Sequence, residues 1–558
     1  MSTHSDRTIN IMLCTTFLLV TLISVIFFLE YFDAAFPPSE IGVIMEREQA
    51  IRKAENVMAQ MGVDIPDYSV TATFETDQQV DYFLQRELGI AALNRLTSSG
   101  ELCLHYWRIV FFNPISKQRF IVGIAPDGHF DGFKSEITNI PQRSKPDQYV
   151  ALEIAETFTN DIAGLDLSDF TLTAISIDEQ TDRINHSFTW AREWRPLPEI
   201  DEEVLVTLRG ESVSFFERFI KVPESHVRRV RNERSIRELF SAIGNALSFL
   251  VMLSAAIYTV RTISRREEVQ WQYGVFLGFV VFLVAAVLPI NNMFITSRTV
   301  TTTEGWMELL GSHSIMILLS SCVLGGQVVI YSALGQQLYA RTFGSGSLAR
   351  YCIHLGRRRF RRLLSKCAIG YGLAFMLIAY HMSCYLIGDS VGVWMPAKPR
   401  IGIASMSHIP IIGVIGAAFL ASLIEESTFR LFCIPLFKKY LRTTIAAVIL
   451  SALAWGINHA GHVIFPVYFR MIEITLIGIV YGVVFIKYGF VTVLTAHYLV
   501  DAIVGVSMTF PPSSLDYNVA LIVVLVLPML VAVGSHIVRG YIYGFKLDLF
   551  HEESVQAT

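Results

Sequence analysis

Three apolar segments in the last third of the chain carry side chains that could act on a peptide bond. They read IPIIGVIGAAFLASLIEESTFRLFCIPLF, AAVILSALAWGINHAGHVIF and GFVTVLTAHYLVDAIVGV. The residues of interest within them are Glu425, Glu426, Arg430, His459, His497 and Asp501. Ionisable side chains are costly inside hydrophobic helices, so each of these positions is a functional hypothesis by default.

The helical spacing predicts how these side chains are arranged. Glu426 and Arg430 are four residues apart with the acid nearer the N-terminus, the favourable order for an ion pair. Glu425 lies about 100° around the helix from Glu426 and is free to face a cavity. Two further pairs share a helix face at the four-residue spacing: Trp455 with His459, and His497 with Asp501. We therefore expect three helices to point into one polar pocket inside the bilayer.

Such a pocket suits hydrolysis by an activated water molecule. Glu425 would take the proton from water, as general bases do, and His459 would position or polarise the same water. His497 would donate a hydrogen bond to the oxyanion that develops at a scissile carbonyl. Arg430 would neutralise Glu426, so that two adjacent acids are not both buried without a partner.

The three motifs resemble those of a known family. EESTFR at 425–430 is similar to the EExxxR motif of the CPBP intramembrane proteases, which include the type II CAAX prenyl endopeptidases. WGINH at 455–459 resembles their FxxxH motif, and HYLVD at 497–501 resembles their HxxxN/D motif. The resemblance covers roughly residues 405–510. It implies a glutamate-type protease in which Glu425 and His459 activate water, while His497 and Asp501 form the oxyanion hole.

Two departures from the family pattern bear on the chemistry. Trp455 stands where Phe is usual, which alters the shape of the pocket. Asp501 stands where prenyl endopeptidases tend to have Asn, and an ionised Asp cannot donate to an oxyanion. Asp501 must therefore be protonated, or it must act as an acceptor that orients His497.

Zinc catalysis is an alternative that the sequence leaves open. Glu425, His459 and His497 are suitable ligand types for zinc. The HxxxN/D motif nevertheless lacks the HExxH arrangement of zinc proteases. We predict no metal and no other cofactor.

Composition indicates a membrane protein with a sizeable solvated part. Of 558 residues, 52% are hydrophobic and only 17% are charged, whereas soluble proteins carry about 25% charged residues. This excludes a disordered chain and a wholly cytosolic enzyme. The net charge of −4 argues against a nucleic-acid partner.

Hydropathy predicts about ten membrane spans. The first is an uncleaved signal anchor at 11–29 (domain 1–30). The others are predicted near 239–260, 273–295, 306–334, 366–388, 408–434, 445–465, 471–487, 490–510 and 518–538. The most basic loop, 341–366, is expected to be cytoplasmic by the positive-inside rule. Both termini are then cytoplasmic, residues 31–235 are extracytoplasmic, and we expect the polar cavity to open toward the cytosol.

The predicted fold class is mostly α: a polytopic transmembrane helix bundle with an extracytoplasmic α+β domain. Residues 31–235 read as two repeats, about 40–140 and 146–224, that weakly resemble PepSY modules; each begins with an amphipathic helix and closes with a hairpin. Transmembrane helices fill 236–400, a CPBP-like protease core fills 401–545, and 546–558 is a cytoplasmic tail.

The favoured function is an intramembrane endopeptidase of a multi-pass cell-membrane protein. Its partners would be membrane lipid and a peptide or lipidated protein substrate. The alternative is a non-catalytic relative, a membrane scaffold or bacteriocin-immunity-type protein, in which the polar cluster only holds helices together. Two other ionisable residues are read as structural: His381, which has no partner at helical spacing, and Glu473, which we expect at the membrane interface.

Overall fold

The architecture is mostly helical, with one antiparallel sheet. A computed structural model describes residues 2–42, 44–113, 115–136, 145–180, 183–292, 306–344, 357–404 and 407–543. The predicted tail at 546–558 and part of the basic loop 341–366 lie outside these residues. Within them, 10 helices are long and apolar enough to cross a membrane, in agreement with the predicted spans.

We number the elements in chain order. The α-helices are α1 (Ser2–Ala35), α2 (Arg47–Gln60), α3 (Gln78–Leu88), α4 (Ile90–Ser98), α5 (Gln148–Thr157), α6 (Glu224–Ser264), α7 (Trp271–Asn291), α8 (Trp306–Phe343), α9 (Arg357–Asp389), α10 (Arg400–Ala404), α11 (Pro410–Glu425), α12 (Ile434–Leu441), α13 (Thr444–Asn458), α14 (Val467–Tyr488), α15 (Phe490–Thr509) and α16 (Leu515–Tyr543). Two π-helical segments, Phe158–Ile162 and Glu426–Cys433, and a 3₁₀ turn, His459–Gly461, extend α5, α11 and α13.

A single eight-stranded antiparallel sheet forms the core of the sheet domain, our name for residues 36–223. Its strands are β1 (Ser69–Thr76), β2 (His105–Phe112), β3 (Arg119–Ile124), β4 (Phe130–Glu136), β5 (Thr171–Glu179), β6 (Ile184–Glu193), β7 (Asp201–Arg209) and β8 (Ser212–Ile220). The spatial order is β1-β2-β3-β4-β8-β7-β6-β5. Each half of the predicted repeat thus supplies a four-stranded meander, and the two halves join where Phe133 of β4 pairs with Phe216 of β8.

Local sequence explains the helices that cover this sheet. Asp77 and Asp147 each accept hydrogen bonds from two backbone N–H groups at the start of α3 and α5, as N-cap residues do. Buried Ala and Met side chains of α2 and Ala side chains of α5 pack against the aromatic residues of the strands. The α+β character of the domain is therefore present, whereas its resemblance to PepSY modules stays a prediction.

The sheet domain is tied to the helix bundle at several points. Helix α6 begins directly after β8 and runs for 41 residues without interruption into the bundle, a length of about 60 Å. The side chain of Gln85 exchanges two hydrogen bonds with the backbone of Ala397, at 3.0 and 2.9 Å. The N–H of Ser39 also donates to the carbonyl oxygen of Lys398, at 3.2 Å. The loop between α9 and α10 therefore contacts the sheet domain.

Small residues bring the helices of the C-terminal third close together. Gly478 and Gly482 on α14 face α13: a Cβ atom at these positions would lie 2.9 Å from Ala452 Cβ and 2.7 Å from Val448 Cγ1, respectively. Such contacts between small residues allow close backbone approach in membranes. Helix α15 is the most buried of the ten apolar helices, since 67% of its most apolar stretch is buried within the protein. These helices carry the residues of interest.

Candidate active site

The two adjacent glutamates lie at a change of helix type. Helix α11 ends at Glu425, and Glu426–Cys433 continues as a π-helix in which all eight residues are buried. Single π-turns within α-helices occur frequently at functional sites. The Glu425 side chain is 26% exposed, whereas that of Glu426 is fully buried. The two acids therefore point in different directions, as their helical phase predicts.

Glu426 is held by a cation and an imidazole. Arg430 Nη1 lies 3.1 Å from Glu426 Oε1, which is the predicted pair. His497 Nδ1 donates to the same oxygen at 2.8 Å. The guanidinium of Arg430 also lies over the ring of Trp455, 4.0 Å from its centroid. This arrangement balances the charge of the buried acid and fixes the ring of His497.

Glu425 faces two histidines that come from different helices. His459 Nε2 lies 3.9 Å and His497 Nε2 lies 3.8 Å from Glu425 Oε2. The indole Nε1 of Trp455 donates to that same oxygen and fixes its position. Both imidazoles are slightly beyond direct hydrogen-bond distance, so a water molecule on the cavity side could contact an imidazole and the carboxylate together.

Hydrogen bonds on the far side of each ring set the orientation of the two histidines. His459 Nδ1 lies 2.9 Å from the carbonyl oxygen of Trp455, and a carbonyl only accepts, so Nδ1 carries the proton. His497 Nδ1 is likewise bonded to Glu426. Both rings thus direct Nε2 at Glu425.

Asp501 completes the group that we name the cavity cluster: Glu425, His459, His497 and Asp501. Its Oδ2 lies 3.4 Å from His497 Nε2, and its side chain is 34% exposed. The carboxylate therefore flanks the His497 nitrogen that faces Glu425. This placement favours the role of an acceptor that orients His497 over that of an oxyanion donor.

The cavity cluster lines a cavity of about 570 Å³. The cavity extends from Glu425 and His497 to the helix ends at Asn292, Pro410 and Thr509, which lie on the side of the sheet domain. We predicted that it opens on the side opposite the sheet domain, and this is wrong. The lining stops at Glu425 on this helix, and the fully buried π-helical segment Glu426–Cys433 is not part of it.

A second, larger cavity of about 910 Å³ adjoins the first. Pro410 and Thr509 line both cavities. Most of its walls are apolar side chains from α11, α16 and the start of the sheet domain, among them Ile41, Ile412, Ile415, Val519 and Val523. An apolar region thus lies next to the polar one at the same end of the bundle.

Another buried group of ionisable residues, which we name the second cluster, was not predicted. Arg470 Nη1 lies 2.9 Å from Glu473 Oε2, and His381 Nδ1 donates to Glu473 Oε1. The side chain of Glu473 is only 1% exposed and lies within the bundle, whereas its depth at the membrane interface stays a prediction. His381, interpreted as structural because it has no partner at helical spacing, is bonded to residues of another helix. Its partners lie on α14, and spacing along α9 alone could not reveal them.

The second cluster lies beside the same cavity. His381 and Arg470 line it together with the cavity cluster, and His462 lines it as well. Among the residues that the structure describes, no group of three His, Cys, Asp or Glu side chains is arranged to hold a metal ion. The polar wall of the cavity therefore consists of two neighbouring sets of ionisable groups.

Comparison with known proteins agrees with this geometry. Residues 407–503 match the family described as type II CAAX prenyl endopeptidase Rce1-like. The sporulation-killing factor biosynthesis protein SkfC of Bacillus subtilis (strain 168) is 20% identical over 474 residues, which span 83% of this chain and 89% of the relative. No solved structure matches the chain significantly. The predicted similarity to the CPBP and Rce1-like family is confirmed, and the matched region contains the whole cavity cluster.

Proposed function

We propose that this protein is an intramembrane endopeptidase that hydrolyses a peptide bond of a membrane-associated substrate with a glutamate-activated water molecule. The observation that carries the proposal is the position of Glu425, a cavity-facing carboxylate with two imidazole Nε2 atoms within 4 Å of one of its oxygens. The match of this region to the Rce1-like family supports the same reaction class.

The proposed reaction begins with water between Glu425 and His459. A water molecule at about 2.8 Å from each group would fit the observed separation. Glu425 accepts its proton as the oxygen attacks the scissile carbonyl, and His459 orients it through the unprotonated Nε2. The C–N bond then breaks, and Glu425 returns the proton to the leaving amine.

His497 is proposed to stabilise the tetrahedral intermediate. Its Nδ1–H is bound to Glu426, and its Nε2 faces the cavity between Glu425 and Asp501. A protonated ring in this position would donate to the oxyanion, an interaction that is strong in a site from which bulk water is excluded. Asp501 would hold that proton on Nε2 and so orient the ring.

The substrate is proposed to be a peptide that is anchored in the membrane. The adjoining apolar cavity of about 910 Å³ supports an apolar segment next to the scissile bond. The similarity to a protein named for biosynthesis of a killing factor supports a client that is a precursor peptide in such a biosynthesis. A lipidated protein is the other client that the family resemblance implies.

The decisive variant is Glu425→Gln, which keeps the shape of the side chain and removes the base. We expect cleavage to be abolished in membranes while the amount of folded protein is unchanged. Glu153→Gln, at an exposed position of α5, is the matched control and should cleave normally. Full activity of Glu425→Gln would refute the mechanism.

The same membrane preparation distinguishes the proposed enzyme from two alternatives. A non-catalytic scaffold or immunity-type protein would cut no peptide bond, and Glu425→Ala would reduce stability and partner binding together. A zinc enzyme would lose activity with a strong chelator and regain it with zinc. We propose a reaction without metal, so chelation should leave the rate unchanged and the purified protein should contain far less than one zinc per chain.

The orientation of the chain is also a proposal. We propose that residues 31–235 and the mouth of the cavity face the extracytoplasmic side, because the end of α8 at Arg341 and the start of α9 at Arg357, both basic, lie at the other end of the helices. A cysteine introduced at Arg231, in a variant in which the exposed Cys14, Cys103 and Cys322 are replaced by Ser, should react with an impermeant thiol reagent in intact cells. If that cysteine does not react, the proposed topology is wrong, and residues 31–235 face the cytosol.

A further inference from the structure

The short loop that follows His459 is fixed at both of its ends. At the near end, Ser248 Oγ of α6 donates to Asn458 Oδ1 at 2.8 Å. Helix α6 also approaches this point closely, since a Cβ atom on Gly244 would lie 3.0 Å from Asn458 Cα. The residue preceding His459 is thus packed against the helix that continues from the sheet domain.

At the far end, Phe465 is paired with Trp394 of the loop between α9 and α10. Their backbones exchange two hydrogen bonds of 2.8 Å, and their rings stack with centroids 5.5 Å apart. The guanidinium carbon of Arg86, on α3 of the sheet domain, lies 4.4 Å from the Trp394 centroid and 4.9 Å from the Phe465 centroid. We call these three residues the Arg86 clamp.

The guanidinium of Arg86 is itself held in one orientation. Its Nη1 and Nη2 donate to the two carboxylate oxygens of Glu233 on α6, at 3.2 and 2.9 Å. The neighbouring Gln85 binds the backbone of Ala397, three residues beyond Trp394. Two-point binding of a planar guanidinium gives geometric specificity that a lysine cannot reproduce.

His459 depends on these contacts for its position. It begins a 3₁₀ turn at the end of α13, and its Nδ1 is bonded to the backbone of Trp455 in the preceding turn. Helix ends fray readily, and loops belong to the least stable parts of a fold. A displacement of about 1 Å of a reacting group can reduce a rate by roughly 10²-fold.

We propose that Arg86 is a positioning residue for His459, so that the sheet domain completes the active site through the Arg86 clamp. This inference rests on the proposed hydrolysis at Glu425. Arg86 contacts neither the cavity cluster nor the cavity lining. It acts through Phe465 and the loop 459–466, and the sheet domain is consequently a component of the enzyme and more than an appended module.

The kinetic test uses the full chain in lipid vesicles with a cleavable membrane-anchored peptide. Arg86→Ala should lower kcat by about 10- to 100-fold with KM changed less than about twofold, because the substrate cavity is untouched. Arg86→Lys should restore only part of the rate. Glu233→Gln, a milder change, should lower kcat less than Arg86→Ala. Arg95→Ala, at an exposed position of the adjacent helix α4, is the control and should match the unaltered protein.

A second measurement does not depend on catalysis. Hydrogen exchange of the full chain should show faster exchange at the amides of Trp394 and Phe465 in Arg86→Ala, with no change in the β6–β7 ladder. Unchanged exchange at these amides, or a rise in KM with kcat intact, would overturn the proposal. If the unaltered protein cleaves nothing, the proposed function fails. Faster hydrogen exchange in Arg86→Ala would then establish the Arg86 clamp as a structural link between the sheet domain and the bundle, without a role in catalysis.

Discussion

The cavity cluster and the second cluster share one cavity wall but differ in how completely their carboxylates are bound. Glu473 binds a guanidinium and an imidazole directly and has a side chain that is 1% exposed. Glu425 is 26% exposed, and its two imidazole neighbours stop at 3.8 and 3.9 Å. A saturated carboxylate holds helices together, whereas a partly unsatisfied one with space beside it can exchange a proton with water. The two clusters contain similar residue types, and they differ in how directly their carboxylates are bound by neighbouring cations and imidazoles.

The largest expected effect that tests this difference concerns His497. In His497→Gln, Glu426 keeps its bond to Arg430, but the proposed oxyanion donor at Nε2 is lost. We expect the cleavage rate to fall by about 10³-fold, as for removal of an oxyanion donor elsewhere. The rate is measured on folded protein in vesicles, with circular dichroism as the check on folding. Retention of more than a tenth of the rate would place the oxyanion donor elsewhere.

The second cluster should show the opposite behaviour. Glu473→Gln removes the charge that pairs Arg470, so a buried cation loses its partner. We expect the free energy of unfolding to fall by about 4 kcal/mol, measured by denaturant titration of the protein in detergent micelles. The rate per folded molecule should change by less than about threefold. A loss of rate as large as that of His497→Gln would erase the distinction between the clusters.

A pH titration extends the comparison to another buried acid, Asp81, which lies in the sheet domain and belongs to neither cluster. Burial raises the pKa of Asp81 to about 7, and the hydrogen bond from Gln85 only partly offsets this. The folded state therefore binds a proton that the unfolded chain has released above about pH 4, so the stability of the sheet domain should fall as pH rises to 7. We expect a decrease of about 3 kcal/mol over that interval.

The readout for Asp81 is hydrogen exchange of the β-ladder amides in the full chain. In Asp81→Asn this part of the pH dependence should be absent. A pH dependence of stability that persists in Asp81→Asn would have to come from other buried groups of the molecule.

The smallest expected effect is that of Asp501→Asn, which introduces the residue that is usual in the family motif. Asn can orient His497 through its amide oxygen, and it can also donate to an oxyanion. We therefore expect a rate within about threefold of the unaltered protein, measured in the same vesicle assay. A loss of rate beyond tenfold would show that the Asp501 charge is required to hold the proton on His497.

Local patterns predicted the parts of this fold that depend on one segment at a time. The ten spans follow from runs of apolar residues, and the separation of Glu425 from Glu426 follows from helical phase. The convergence of Glu425, His459 and His497 was predicted from helical spacing and from the three motifs. In each of these cases the relevant information lies within a few helical turns of the residue concerned.

Contacts between distant segments could not be predicted in this way. The bond from His381 to Glu473 joins two helices and has no spacing signal in either. The cavity reaches the helix ends at Asn292, Pro410 and Thr509, and hydropathy does not show toward which end of a bundle a cavity extends. The contact of Arg86 with Trp394 joins the sheet domain to the bundle across about three hundred residues, far beyond the reach of any local pattern.

The π-helical segment has a consequence for how this region tolerates changes of length. A π-turn accommodates one more residue than an α-turn. Deleting a single residue between Glu426 and Cys433 would let the segment return to an α-helix, and the downstream part would keep its own packing. The helices on either side would keep their phase relative to each other, because a π-turn absorbs the one extra residue locally. A one-residue deletion within a regular α-helix such as α11 would instead rotate the residues on its two sides by about 100° relative to each other.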